Sequence, residues 1–162
     1  VANDFRRIGL IRNPTNFGTS TVASADTRRQ LFAAIFSSVS GTFTADEEIN
    51  QASTGAVGKV VEFDSTNLIL YYYQTRFPDV GTDSNGNLTA FSGANAITGQ
   101  SSSASATPDT SNSNTVNGVE FSSGYANPEL AYDSGDIIYV EERSPITRAS
   151  DQTENVKLII EF

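Results

Sequence analysis

The chain has 162 residues with 10 Lys and Arg against 19 Asp and Glu, a net charge of −9, and it contains no Cys, His, Met or Trp. That length fits one domain or two very small ones, and the missing Cys and His exclude disulfides, zinc fingers, thiolate nucleophiles, Ser-His-Asp triads and imidazole acid/base chemistry. So acidic a chain repels phosphate backbones, which argues against nucleic acid as a partner, and no apolar run nears the roughly 20 residues that cross a bilayer, so no membrane is expected. Because it starts at Val1 and holds no Met, the sequence reads as a fragment or a processed product.

Most segments read at period two, the mark of half-buried strands. Phe5 to Arg12 is the first, stopped by Asn13 and by Pro14, which cannot donate to a ladder. From Asp26 to Ser37 the apolar positions Leu31, Phe32, Ile35 and Phe36 suit a helix or a strand, with strand ahead because the run leads into the β-like Val39 to Phe43. Phe43, Ile49 and Ser53 recur as Phe91, Ile97 and Ser101, a faint repeat at an offset of 48. Gly55 to Asp64 and Leu68 to Gln74 form a hairpin turning at 64–67, and Asn85-Gly86 and Asn117-Gly118 are tight-turn signals because both residue types tolerate positive φ. Residues 101–115 have almost no apolar side chain to offset the entropy of ordering them. Asp136 to Glu142 is a further strand, and Val156, Leu158, Ile160 and Phe162 alternate in a last one.

These elements predict an all-β protein of split architecture. Residues 1–38 and 116–162 form an antiparallel sheet or sandwich unit built from both chain ends, 39–101 a small β-barrel-like insertion, and 102–115 a Ser/Asn/Thr-rich linker. Charge follows a gradient, +3 over residues 1–36, −5 over 37–103 and −7 over 104–162, a basic head and an acidic tail that could lie beside each other.

Candidate chemistry is sparse. A glycosidase needs two carboxyls from separate elements about 5–10 Å apart, one with a raised pKa. The adjacent pairs Glu47-Glu48 and Glu141-Glu142 do not offer that, since strand neighbours point to opposite faces and Glu47-Glu48 sits in a turn as ordinary solubilising charge. Asp83 to Asn87 lacks the glycine and glutamate positions of a calcium loop and reads as a hairpin turn. Tyr71 and Tyr73 could stack on a glycan, but a strand with those two on one face and Tyr72 on the other, partly buried, is favoured. No catalytic residue, cofactor or metal ligand is assigned. Between strands 136–142 and 156–162, Arg143 and Arg148 flank a crossing fixed by Pro145, and Asp151, Gln152 and Glu154 supply acceptors for Arg–carboxylate forks.

The stretch holding Ser134, Gly135, Ile138, Tyr139, Arg143, Pro145, Ile146, Asp151, Gln152, Thr153, Glu154 and Phe162 resembles the C-terminus of the baseplate wedge subunit of T4-type contractile-tailed bacteriophages. A second block, Phe5, Arg6, Ile8, Ile11, Asn13 and Pro14, is similar to a strand of the same family. The two blocks lie in the family's order and cover about a quarter of the chain. The family's chain is much longer, so this one resembles its C-terminal part, and the 39–101 insert resembles small β modules of marine phage tail proteins. The resemblance implies a structural protein of the virion tail baseplate, assembled in the host cytoplasm. It would bind other baseplate wedge proteins without catalysis, with a homodimer among its expected assemblies. Arg6, Arg143, Pro145, Arg148, Asp151, Gln152 and Glu154 would fix the terminal fold or an interface. A carbohydrate-binding adhesin module using Tyr71 and Tyr73 is the alternative reading, and a carboxylate hydrolase of a tail tip the third.

Overall fold

A computed structural model describes residues 7–24, 29–74, 81–131 and 134–142. Among them every regular element is a strand and every pairing is antiparallel. The chain divides into two compact units, Val1–Asn13 with Gly135–Phe162, and Pro14–Ser134. In the first, the described residues form a two-stranded ribbon of β1 (Arg7–Arg12) and β11 (Asp136–Glu142). β1 stops one residue before the Asn13-Pro14 pair, and Asn13 takes a φ of 52°.

The second unit is built on β2 (Phe32–Ile35), β3 (Glu48–Gln51), β4 (Ala56–Asp64), β5 (Ile69–Tyr73), β6 (Ile97–Gly99), β7 (Ser105–Ala106) and β10 (Tyr125–Ala126). They lie in one sheet in the order β10-β2-β5-β4-β3-β6-β7. The sheet does not end at β7. Bridges join Phe36 to Pro108 and Ser40 to Ser105, with Ser40 and Ser105 exchanging amide–carbonyl bonds of 2.9 Å in both directions. The continuation of β2 thus meets the far strand and closes a barrel-like wall, which gives the β7 edge a partner.

Alternation along the strands fills that wall from inside and covers it from outside. Ala34, Phe36, Leu70 and Tyr72 face one cluster with Phe43, Ile49, Ala56, Val60, Phe91, Ile97, Ala104 and Ala106. Their strand neighbours Ala33, Ile35 and Ile69 face a second cluster with Val119, Phe121 and Ala126. The second face is covered from the small hairpin of β8 (Thr115–Val116) and β9 (Val119–Glu120), turned by Asn117 and Gly118 with φ of 49° and 75°. In β4 a register shift between Val60 and Glu62 reverses the alternation, so Phe63 joins Val60 against the first cluster and meets Phe43 edge-on at 5.6 Å.

The repeat has a structural meaning. Phe43, Ile49, Phe91 and Ile97 are all buried in the first cluster. β3 pairs β6 with Asn50 opposite Thr98, and the offset of 48 maps one of those residues onto the other, so the two copies face each other about a local two-fold.

Three sequence expectations are corrected. The barrel wall runs from Phe32 to Pro108 and includes β2, outside the expected 39–101 boundary, because β2 pairs with β5 and the residues just after it bridge to Ser105 and Pro108. Residues 102–115 are not a linker: Ala104 and Ala106 are buried and β7 pairs β6. They are ordered by hydrogen bonds, where the composition argument counted only apolar area. Glu47 is not solvated turn charge but 5 % exposed. Its carboxylate accepts from Thr44 N (2.7 Å), Ser102 N (2.9 Å), Ser102 Oγ (2.8 Å), Ser101 Oγ (3.0 Å) and Ser101 N (3.2 Å), stapling the 101–104 turn to the start of β3. Gly99 makes room for it, since a Cβ there would stand 2.6 Å from Glu47 Oε2.

Burial by itself would raise the Glu47 pKa, but the donors from Ser102, Thr44 and Ser101 outweigh it and hold the group at about 2 against an ordinary 4.5. A depressed carboxyl contributes stability that is complete above its unfolded pKa and is lost as pH falls through the folded one. Glu47→Gln is therefore expected to cost about 3 kcal/mol at neutral pH. In urea denaturation the gap between wild type and variant should close as pH drops from 4.5 toward 2; a gap independent of pH would refute this role.

Candidate interaction site

In the ribbon, β1 and β11 pair as Gly9 with Val140, Leu10 with Tyr139 and Ile11 with Ile137, with a register shift between Leu10 and Ile11. β-branched and aromatic residues favour such strands, but here they are not covered. Leu10, Ile11, Ile137, Ile138, Tyr139 and Val140 are between 47 % and 71 % exposed. Four consecutive exposed apolar residues in β11 place apolar groups on both faces, because neighbours in a strand point opposite ways. Arg12 and Asp136 pair at 3.5 Å at one end, both well exposed, a geometry worth little in stability. Scattered exposed hydrophobics are ordinary, whereas a contiguous set on one small element marks a contact surface.

The other candidates do not assemble into a site. Tyr71 and Tyr73 are half-buried on β5, and Tyr72, on the opposite face, is 2 % exposed. Tyr71 packs on the second cluster, and burial first, then the nearby Asp64 and Glu62, raise its pKa while Asn117 and Arg29 lower it. It is a packing residue with a polar tip rather than an open stacking plate. Asp83 closes its turn by accepting from Asn85 N (2.8 Å) and Asn87 N (2.9 Å), the hairpin expected from sequence. Arg6, Arg143, Pro145, Arg148, Asp151, Gln152 and Glu154 lie outside the described residues, as does the strand expected at 156–162.

Two open clefts lie in the Pro14–Ser134 unit. One of about 430 Å³ sits on the barrel seam and is lined mainly by hydroxyls, including Ser37, Ser38, Ser40, Ser105 and Thr107. The other, of about 650 Å³, holds Arg29, Glu120, Tyr125 and Glu129. Burial lowers the Arg29 pKa, partly offset by Glu129 and Tyr71, and Glu129 also accepts from the Arg29 amide at 2.9 Å. Glu47, the buried carboxyl, is held ionised, opposite to what a general acid requires. No group of three or more Asp or Glu poised for a metal occurs among the described residues.

Sequence reasoning missed the ribbon as a surface. It identified both strands, but period two predicts one covered face, and β11 breaks that pattern with the run Ile137 to Val140.

The described residues define an all-β protein with a barrel-like core in one unit and exposed apolar strands in the other. Comparison points to a particular family: residues 83–162 match the family model described as bacteriophage T4, Gp8, a likeness to the baseplate wedge protein of T4-type phages. The match spans β6 to β11 and contains the block from Ser134 to Phe162, while the block from Phe5 to Pro14 lies outside it. No curated protein and no solved structure matches the chain.

The exposed ribbon should bind an apolar-surface dye such as ANS. The triple substitution Leu10→Ser, Ile138→Thr and Val140→Thr is expected to lower dye fluorescence by roughly half or more with no loss of the barrel's cooperative unfolding. Unchanged fluorescence would show the ribbon to be covered.

Proposed function

We propose that this protein is a structural component of a phage tail baseplate wedge that assembles by protein–protein contact through its β1–β11 ribbon and carries out no catalysis. The observation that carries this reading is the family match over residues 83–162, which includes the whole of β11. The physical features support it: a closed, two-sided core suits a rigid part, and an apolar ribbon suits a joint. Its place would be the tail baseplate of the virion, reached by assembly in the host cytoplasm. The partners are the other wedge proteins of the same phage.

The test is reconstitution from purified wedge proteins followed by sedimentation. The chain should co-sediment with the wedge complex in a fixed stoichiometry. A chain that stays at the top of the gradient with every wedge protein present, or that binds a component of a glycan array through Tyr71 and Tyr73, would overturn the reading.

A further inference from the structure

The offset of 48 relates more than three side chains. It carries the hairpin 43–58 onto 91–106 with its pairing intact: Ile49 opposite Gly58 becomes Ile97 opposite Ala106, and Asn50 opposite Val57 becomes Thr98 opposite Ser105. The turns correspond bond for bond. Gly55 N donates to Gln51 O at 2.9 Å and Ser103 N to Gly99 O at 3.2 Å, with positive φ at both Gly55 (78°) and Ser103 (58°). Ala56 N then donates to Thr54 Oγ1 (3.2 Å) and Ala104 N to Ser102 Oγ (3.1 Å), and both alanines are fully buried.

Two pockets for a side-chain oxygen follow the same two-fold. Glu47 Oε1 accepts from Thr44 N (2.7 Å) and Ser102 Oγ (2.8 Å). Gln51 Oε1 accepts from Ser92 N (2.9 Å) and Thr54 Oγ1 (2.8 Å). Adding 48 to Thr44 gives Ser92, and subtracting 48 from Ser102 gives Thr54, so each oxygen is held by equivalent donors, one from each copy. The residues that supply the oxygens are not equivalent. Position 47 corresponds to Asn95, whose amide turns back to Ser92 O at 2.9 Å. Position 51 corresponds to Gly99, where a Cβ would stand 2.6 Å from Glu47 Oε2. β3 and the residue before it thus fill both pockets, while β6 and its approach carry shorter residues at the corresponding positions.

We infer that 43–58 and 91–106 are two copies of one hairpin unit that share two equivalent buried acceptor pockets, and that each pocket can be filled from either copy. The first is open to position 47 or 99 and the second to position 95 or 51. Buried N–H and O–H donors require a partner, so each pocket must be filled by one route. The routes exclude each other, because the side chain from one strand takes the space of the other's, as Glu47 does over Gly99. Glu47 and Gln51 are therefore positioning residues for the 101–103 and 53–55 turns, and their roles can be transferred to the opposite copy.

The test is transfer by substitution, read as urea midpoints at pH 7 by circular dichroism. In the first pocket, Glu47→Asn should lower the midpoint, and Glu47→Asn/Gly99→Gln should restore at least about half of the loss. Gly99→Gln alone should be less stable than that double variant, since both side chains then compete for one space. In the second pocket, Gln51→Gly should lower the midpoint and Gln51→Gly/Asn95→Glu should restore it to a similar extent, whereas Gln51→Ala/Asn95→Glu should not. The restored second-pocket variant gains a hydrogen-bonded carboxylate, so its midpoint should fall more steeply than that of wild type as pH drops through the acid range. Where a single variant does not fold, a folded double variant is itself the restoration. Double variants no more stable than their single parents, or unfolded, would overturn the inference, and so would equal restoration with Ala and with Gly at position 51.

Discussion

Closure of the sheet between residues 36–40 and 105–108 is the constraint on which the rest of the Pro14–Ser134 unit depends. Once Ser40 and Ser105 exchange their backbone bonds, every strand from β2 through β7 has a neighbour on each side, and the inward side chains share one enclosed cluster. Ile49, Leu70, Ile97 and Val60 are fully buried there, each worth about 1.5–3 kcal/mol. Without the seam, the same strands would be an open sheet with exposed edges. The closure also explains why β2 and β5 are greasy at every position: one set of their side chains faces the enclosed cluster, and the other must be covered from outside by the β8–β9 hairpin and its flanks.

Polar anchors hold this wall in place where apolar area is scarce. Glu47 gathers five donors from the 44 and 101–102 turns, and Gln51, fully buried four residues further on, gathers four bonds at the opposite end. Its amide donates to Asn95 O (2.8 Å) and Tyr125 Oη (3.2 Å), and its carbonyl accepts from Thr54 Oγ1 (2.8 Å) and Ser92 N (2.9 Å). Glu47 directly precedes, and Gln51 ends, the strand β3 that meets its own repeat in β6. A buried polar group costs little when every bond is made and a great deal when one is lost, so these two residues fix register as well as stability.

The ribbon follows a different logic. Among the described residues it places large apolar groups outward. The core strands of the Pro14–Ser134 unit bury such groups, and the exposed ones on the ribbon are those that the proposed assembly contact would use.

Most of the strands were legible in the residues. The strand at 136–142, the 55–74 hairpin, the turns at Asn85-Gly86 and Asn117-Gly118 and the preference for strand over helix near Leu31 to Phe36 all follow from local rules, because side-chain period and positive-φ tolerance act between near neighbours. The burial of Glu47, the ordering of 102–115 and the boundaries of the barrel were not legible. Each depends on partners 50 or more residues away, such as Ser102 for Glu47 or Ser105 with Ser40. The sequence by itself determined an all-β chain without Cys or His and with acid in excess, since composition and alternation are properties of the string. Only the tertiary structure decided which apolar residues are covered: Ile49 and Ile138 are the same residue type in the same kind of strand, yet one is fully buried and the other 61 % exposed. The difference lies in whether a second layer folds over the strand, and long-range closure alone sets that.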